Sequence, residues 1–113
     1  MAVTHPLPDD LVELIAQRFR ALSEPTRIKL LDRLREGEAT VLELTALTGT
    51  SEQNVSKHLG LLSRAGIVAR RKQGNFSYYS IADEGVFELC EQVCGSLQHQ
   101  LEALRRIVAA EVS

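Results

Sequence analysis

Between residues 41 and 62 the chain reads VLELTALTGTSEQNVSKHLGLL, and its apolar spacing permits little besides two short helices about a tight turn. Val41, Leu44 and Leu47 recur at helical intervals, and Gly49 follows where a left-handed C-terminal cap belongs. Thr50 and Ser51 come next, and either hydroxyl can cap the unpaired N–H groups of a following helix. That helix has Val55, Leu59 and Leu62 at i, i+4 and i+7, a stripe whose burial turns Gln53, Asn54, Ser56 and Lys57 outward. Short polar side chains at the exposed start of a helix seated on another helix suit base edges in a major groove. The stretch is therefore expected to be a helix-turn-helix.

The total charge of −2 does not by itself point to nucleic acid, but its distribution does. Residues 51–75 hold Lys57, Arg64, Arg70, Arg71 and Lys72 against Glu52, net +4, which leaves −6 on the remainder. A basic patch on an acidic body is the pattern of a protein that turns one face to phosphates. A length of 113 residues fits one domain, small enough to gain from dimerisation, and 25% charged residues is ordinary for a globular chain. No apolar run approaches a membrane span, and MAVTHPLPDD lacks the basic and apolar regions of a signal peptide. Two cysteines without such a signal predict a cytoplasmic protein with free thiols.

Residues 1–8 contain two prolines and no periodicity; they are expected to be a mobile arm ahead of a single folded domain over 9–113. Asp9 and Asp10 favour a helix start, and Leu11, Leu14, Ile15, Phe19 and Leu22 continue it. Ser23 is expected to cap a second helix, with Pro25 early in it and Ile28, Leu30, Leu31 and Leu34 as its apolar residues. After the two-helix motif, Gly66 stops the chain, and Ile67–Val68 and Phe76–Ile81 read as strands. Between them Arg71-Lys72-Gln73-Gly74-Asn75 is a polar connection of hairpin length. A hairpin with a basic tip directly after a helix-turn-helix is predicted to be a wing that meets phosphates or a minor groove; the alternative is a surface hairpin with solvated charges. Tyr78 and Tyr79 alternate across the second strand, one for the core and one to orient the wing.

From Asp83 to about Ala110 a long helix is expected. Its stripe of Val86, Cys90, Val93, Leu97, Leu101, Leu104 and Val108 is longer than one small domain can cover. A second copy of the same helix is the natural partner, which predicts a twofold dimer with the first helix contributing. The fold class is then mainly α with a β-hairpin wing (α+β): four helices, the hairpin and the long helix. No Gly-rich phosphate loop, nucleophile motif or paired catalytic carboxylates occur, so neither an enzyme nor an organic cofactor is expected.

With this order of elements, and with ALSEPTRIKLLDRL (21–34), NVSKHLGLLSRAGIV (54–68) and RRKQGNFSYYSI (70–81), the chain resembles the ArsR/SmtB family of winged-helix repressors. The resemblance spans the whole folded part. It implies a homodimer packed through the first and last helices, bound to double-stranded operator DNA and released by an inducer, usually a metal or metalloid ion. The two half-sites are expected about one helical turn, roughly 34 Å, apart. The expected DNA contacts are Thr50, Ser51, Gln53, Asn54, Ser56, Lys57, His58, Arg70, Arg71, Lys72 and Gln73. Gln53 and Asn54 can read adenine bidentately, while the cations supply salt-dependent phosphate affinity. His58 either meets a phosphate or packs beneath the helix.

The family's inducer sites are only partly matched. Where that family keeps a motif resembling E-L-C-V-C-D-L, this chain has Glu38-Ala39-Thr40-Val41-Leu42-Glu43-Leu44, so Thr40 and Leu42 replace both thiols. The other common site uses Asp and His near the start of the last helix and His with Glu or His further along. Asp83, Gly85, Ser96 and His99 stand there, and Gly85 and Ser96 are poor zinc ligands. Cys90 and Cys94 remain, four residues and hence one turn apart on one helix face. Together they can chelate a soft ion such as As(III), Sb(III), Cd(II) or Zn(II), with His99 as a candidate extra ligand and the thiols of a second copy adding to them. Three alternatives stay open: redox or persulfide sensing by the same thiols, structural cysteines in a repressor without a metal, and a small thiol- or metal-handling protein that does not regulate DNA.

Overall fold

Helix boundaries in the computed structural model, which describes residues 3–112, follow local capping chemistry. The first helix, α1 (Asp9–Leu22), has Asp9 and Asp10 in its first turn, where the helix dipole favours carboxylates. Ser23 closes it: the hydroxyl donates to the Arg20 carbonyl at 2.9 Å. This corrects the expectation that Ser23 caps the next helix, α2 (Pro25–Leu34). Pro25 occupies the first helical position, so the cap falls to Glu24, whose Oε2 accepts the Arg27 N–H at 3.0 Å.

The two-helix motif is α3 (Val41–Thr48) and α4 (Glu52–Arg64). Thr40 and Glu43 form a reciprocal capping box at the start of α3, and Gly49 ends it in the left-handed region with φ 68°. Of the two candidate hydroxyls, it is Ser51 that caps α4, accepting the Asn54 N–H at 3.1 Å. The end of α4 is a Schellman arrangement: Gly66 takes φ 77°, and the Ile67 N–H returns to the Leu62 carbonyl at 3.0 Å.

The sheet has three strands, not the two of a simple hairpin. The short β1 (Ala39–Thr40) pairs antiparallel with β3 (Phe76–Ile81), which pairs antiparallel with β2 (Val68–Gln73), in the order β1-β3-β2. Two residues are too few to announce a strand in sequence, and Ala39 and Thr40 qualify only because Tyr79 and Tyr78 lie opposite them. Arg71, Lys72 and Gln73 belong to β2 rather than to the connection, which shrinks to Gly74-Asn75. Gly74 has φ 61° and Asn75 does not have a positive φ, as a two-residue type II′ turn requires.

The chain divides into two units, Met1–Ala82 and Asp83–Ser113. In the first, Leu30, Leu31 and Leu34 from α2, Leu44 from α3, and Val55, Leu59 and Leu62 from α4 are buried together with Ile67, Val68 and Tyr79. Ile28 and Leu47 share helical spacing with this set but are exposed. Each stands three residues from a buried leucine, about 60° round the axis, past the edge of the contact. On α1, Val12, Leu14, Ile15 and Phe19 are also exposed.

The second unit is α5 (Gly85–Val112), 28 residues and about 42 Å long. Val93, Leu97, Leu101, Leu104 and Val108 follow one another at intervals of three or four, and each is 52–60% exposed. Leu59, with none of its surface exposed, is the point where α4 is most sensitive. Leu59→Ala is expected to lower unfolding stability by about 2–5 kcal/mol, read by urea denaturation.

Candidate nucleic-acid interface and thiol pair

Burial of Val55, Leu59 and Leu62 fixes which face of α4 is free. Gln53, Ser56 and Lys57 are exposed on it, and Glu52 stands exposed in the first turn. Asn54 is half-buried, and its Nδ2 donates to the Thr50 hydroxyl at 3.0 Å. That bond orients the amide while leaving its carbonyl and one N–H available. Ser51 is exposed, but its hydroxyl is already committed to the cap.

His58 takes the second of its two expected positions. Its side chain is only 13% exposed, with Nδ1 3.0 Å from Arg27 Nη1 and Nε2 3.8 Å from Glu24 Oε2. It faces α2 because it lies one residue before the buried Leu59, on the inner flank of α4. Partial desolvation pushes the Glu24 carboxyl up, but the Arg27 N–H, the His58 ring, the Thr26 N–H and the Arg27 charge outweigh it and hold Glu24 below the usual value.

The strand register sorts the wing cations. Arg70 and Lys72 point to the face shared with Ser77 and Tyr79, and Arg71 and Gln73 to the face shared with Tyr78 and Phe76. Arg70 donates to the Ser77 hydroxyl from Nε and Nη2 at 3.2 and 3.0 Å. Arg71 is tied more completely. Its Nη2 lies 2.7 Å from Glu38 Oε1, its Nη1 donates to Gln73 Oε1, and its guanidinium carbon sits 4.6 Å from the Tyr78 ring centroid. The Glu38 hydrogen bond raises the Arg71 pKa further, so this cation is permanent but already paired. Lys72 is exposed, and among the described residues no contact holds its ammonium.

Between the starts of α3 and α4 and the wing tip lies an open cleft of about 480 Å³, to which Leu42, Glu52, Ser56, Asn75, Phe76 and Ser77 contribute. Leu42 and Phe76 are about half exposed there, at 55% and 50%. Neither was expected to line a site from sequence, where Leu42 marks a lost thiol position and Phe76 the start of a strand. An isolated apolar residue beside a turn carries no periodic signal, and only the fold brings these two to one cleft.

On α5, Cys90 is half-buried and Cys94 exposed, both as free thiols. His99 is exposed on the same helix. Asp83, which stands at a ligand position of a zinc site that Gly85 and Ser96 leave incomplete, accepts the Gly85 N–H at 3.0 Å at the start of α5. Among the described residues no group of three or more His, Cys, Asp or Glu converges. One chain therefore offers the thiol pair and no further ligand beside it.

A family model described as a helix-turn-helix domain matches residues 22–71. Over 82 residues, 72% of each chain, the sequence is 42% identical to the uncharacterized HTH-type transcriptional regulator Rv0081 of Mycobacterium tuberculosis (strain ATCC 25618 / H37Rv). It is 39% identical over 89 residues to the cadmium resistance transcriptional regulatory protein CadC homolog of Staphylococcus aureus, covering 78% of this chain and 71% of that one. Among solved structures, it is similar to the homodimeric winged helix-turn-helix DNA-binding domain Mb0332 of Mycobacterium bovis, a possible ArsR-family transcriptional regulator. That likeness has a TM-score of 0.74 and 31% identity, and covers 89% of this chain and 94% of that one.

The unequal commitments of Arg71 and Lys72 make their substitutions separable. Lys72→Ala should reduce the slope of log binding constant against log salt by about 0.9 for a lost phosphate contact. Arg71→Ala should lower affinity with a smaller change of slope, since its partner is Glu38. Equal slope changes in a fluorescence-anisotropy salt titration would contradict this division.

Proposed function

The chain belongs to the ArsR/SmtB family of winged helix-turn-helix transcriptional regulators, and we propose that it is a homodimeric repressor that leaves its operator when a thiophilic ion binds Cys90 and Cys94. It is a DNA-binding repressor and not an enzyme. The observation that carries the DNA-binding mode is the free polar face of α4 beside a wing with an uncommitted cation. Gln53, Ser56 and Lys57 enter the major groove, with Asn54 reading a base through the amide that Thr50 orients. Ser51 and Thr50 lie at the helix start, where N–H groups favour phosphate. Lys72 and Arg70, with Gln73 and the braced Arg71, meet the backbone from the wing.

Dimerisation follows from the exposed stripes. Among the described residues, six large apolar side chains along α5 and four on α1 stand in solvent, an arrangement that a second copy relieves. The twofold axis then sets the distance between the two α4 helices, so a change in α5 packing changes the fit to DNA. That coupling requires an ion that binds the two dimer states unequally.

The thiol pair supports the inducer class. Residues i and i+4 on a helix have Cβ atoms about 5–6 Å apart, near enough for two thiolates to hold one ion. The free coordination positions of As(III) or Sb(III) are then open to a thiol from the second copy. The name of the S. aureus relative ties that protein to cadmium resistance, which favours soft-ion chemistry over a redox role. Cys90 is half-buried and Cys94 is exposed, so an ion reaches the pair from solvent.

Cys90→Ser and Cys94→Ser should each bind operator as the parent does and lose release by arsenite or antimonite in an anisotropy assay. Normal release in both variants would make the cysteines structural, and release by oxidant alone would make the protein a redox sensor. Leu101→Glu, in the middle of the α5 stripe, should shift the protein from dimer to monomer in sedimentation velocity and reduce operator affinity at least tenfold, on the order of 1.4 kcal/mol. A dimer unaffected by that charge would place the interface elsewhere.

A further inference from the structure

Arg27 joins three elements through one guanidinium. Its Nε donates to the Ala21 carbonyl at 2.7 Å and its Nη2 to the Arg20 carbonyl at 3.2 Å, both at the C-terminal end of α1. Its Nη1 lies 3.0 Å from Nδ1 of His58, in the middle of α4. Arginine has only donors, so His58 must accept at Nδ1. A neutral ring that accepts there carries its proton on Nε2, and that N–H is turned toward Glu24 Oε2, 3.8 Å away. Glu24 is in turn held by the backbone N–H of Arg27 itself.

We propose that Arg27 is a positioning residue that fixes the recognition helix to the end of α1 through a neutral His58, so that protonating His58 frees the helix and weakens operator binding. The proposal rests on α4 being the DNA-reading helix. A proton on Nδ1 would set two donors face to face at 3.0 Å and remove the acceptor. The cationic ring would then pair with Glu24, and Arg27 would keep only its bonds to α1. Apparent affinity falls by the fraction of molecules in which α4 is still seated.

The charged groups around the ring allow this exchange. From α2 the ring is faced by Arg27 and Glu24. The one charged residue of α3, Glu43, is engaged with Thr40 and Arg33. From β2, Arg70 is held by Ser77 and Arg71 by Glu38, and Lys72 is exposed near the wing tip. From α1, Arg20 is paired with Glu13 at 2.8 Å. On α4 itself Lys57 precedes the ring and Arg64 lies beyond it, and Glu52 stands in the first turn.

The sign of the effect is diagnostic. A histidine that met a phosphate would bind DNA more tightly as it became charged, whereas a histidine needed neutral gives the opposite slope. The test uses the full chain and a duplex that it selects from a random library, with anisotropy measured at constant ionic strength from pH 7.5 to 5.5. Parent affinity should fall about tenfold or more over this range. His58→Ala should bind about tenfold more weakly at pH 7.5. His58→Asn, whose amide oxygen takes the place of Nδ1 and cannot be protonated, should recover most of that loss and show a flat profile.

A His58→Asn profile parallel to the parent, or tighter parent binding at low pH, overturns the proposal. Imidazole ¹⁵N spectra of the folded parent protein give a second measurement that needs no variant. At pH 7.5 they should show His58 with its proton on Nε2; a proton on Nδ1 or a cationic ring overturns the proposal equally. Lys57→Ala separates this from the reading of α4: it should weaken binding at every pH, and if it binds as the parent does, the assignment of α4 is what fails.

Discussion

The seating of α4 is the constraint on which the rest of the structure depends. Val55, Leu59 and Leu62 are three of the six largest fully buried side chains, and they come from a single 13-residue helix. Each buried leucine or valine contributes about 1.5–3 kcal/mol relative to an exposed one, more than any surface contact in the molecule. With that side committed, the polar face of the helix is turned outward. The outward direction of Gln53, Ser56 and Lys57 is thus a consequence of core packing, decided without reference to DNA.

Polar contacts refine what the core has set. Arg27 ties α4 to α1 through His58, and Arg71 ties β2 to the loop before β1 through Glu38. Both are arginines that a reader of charge alone assigns to phosphate or to solvent. Their planar forks instead bridge separate elements at the edge of the core. The cost is electrostatic: Arg71 brings its charge to the wing already paired with Glu38, whereas Lys72 has no such carboxylate among the described residues.

The same economy appears at Thr40. In the resembling family this position often carries a metal-binding thiol; here its hydroxyl starts α3, in a capping box with Glu43. Asp83 repeats the point at the start of α5, where it accepts the Gly85 N–H. Residues that elsewhere serve ion sensing serve helix ends in this chain. The thiols of α5 consequently remain as the candidate soft-ion ligands of the chain.

Much of this was legible in the amino-acid order because it depends on local chemistry. Periodicity marked α3, α4 and α5, Gly49 and Gly66 marked their ends, and the alternation of Tyr78 and Tyr79 separated a buried ring from a surface one. What escaped was decided between segments distant in sequence. β1 exists only through pairing with β3, 38 residues or more along the chain, as in Thr40 opposite Tyr78. Arg71 finds Glu38, and His58 finds Arg27, at separations of 33 and 31 residues. Sequence by itself determined the five helices, the two strands of the hairpin and which face of α4 is polar, since caps, turns and apolar repeats act over a few residues. Only the tertiary structure decided which charges remain free for DNA, since a side chain's partner is whatever the fold brings within about 3 Å of it.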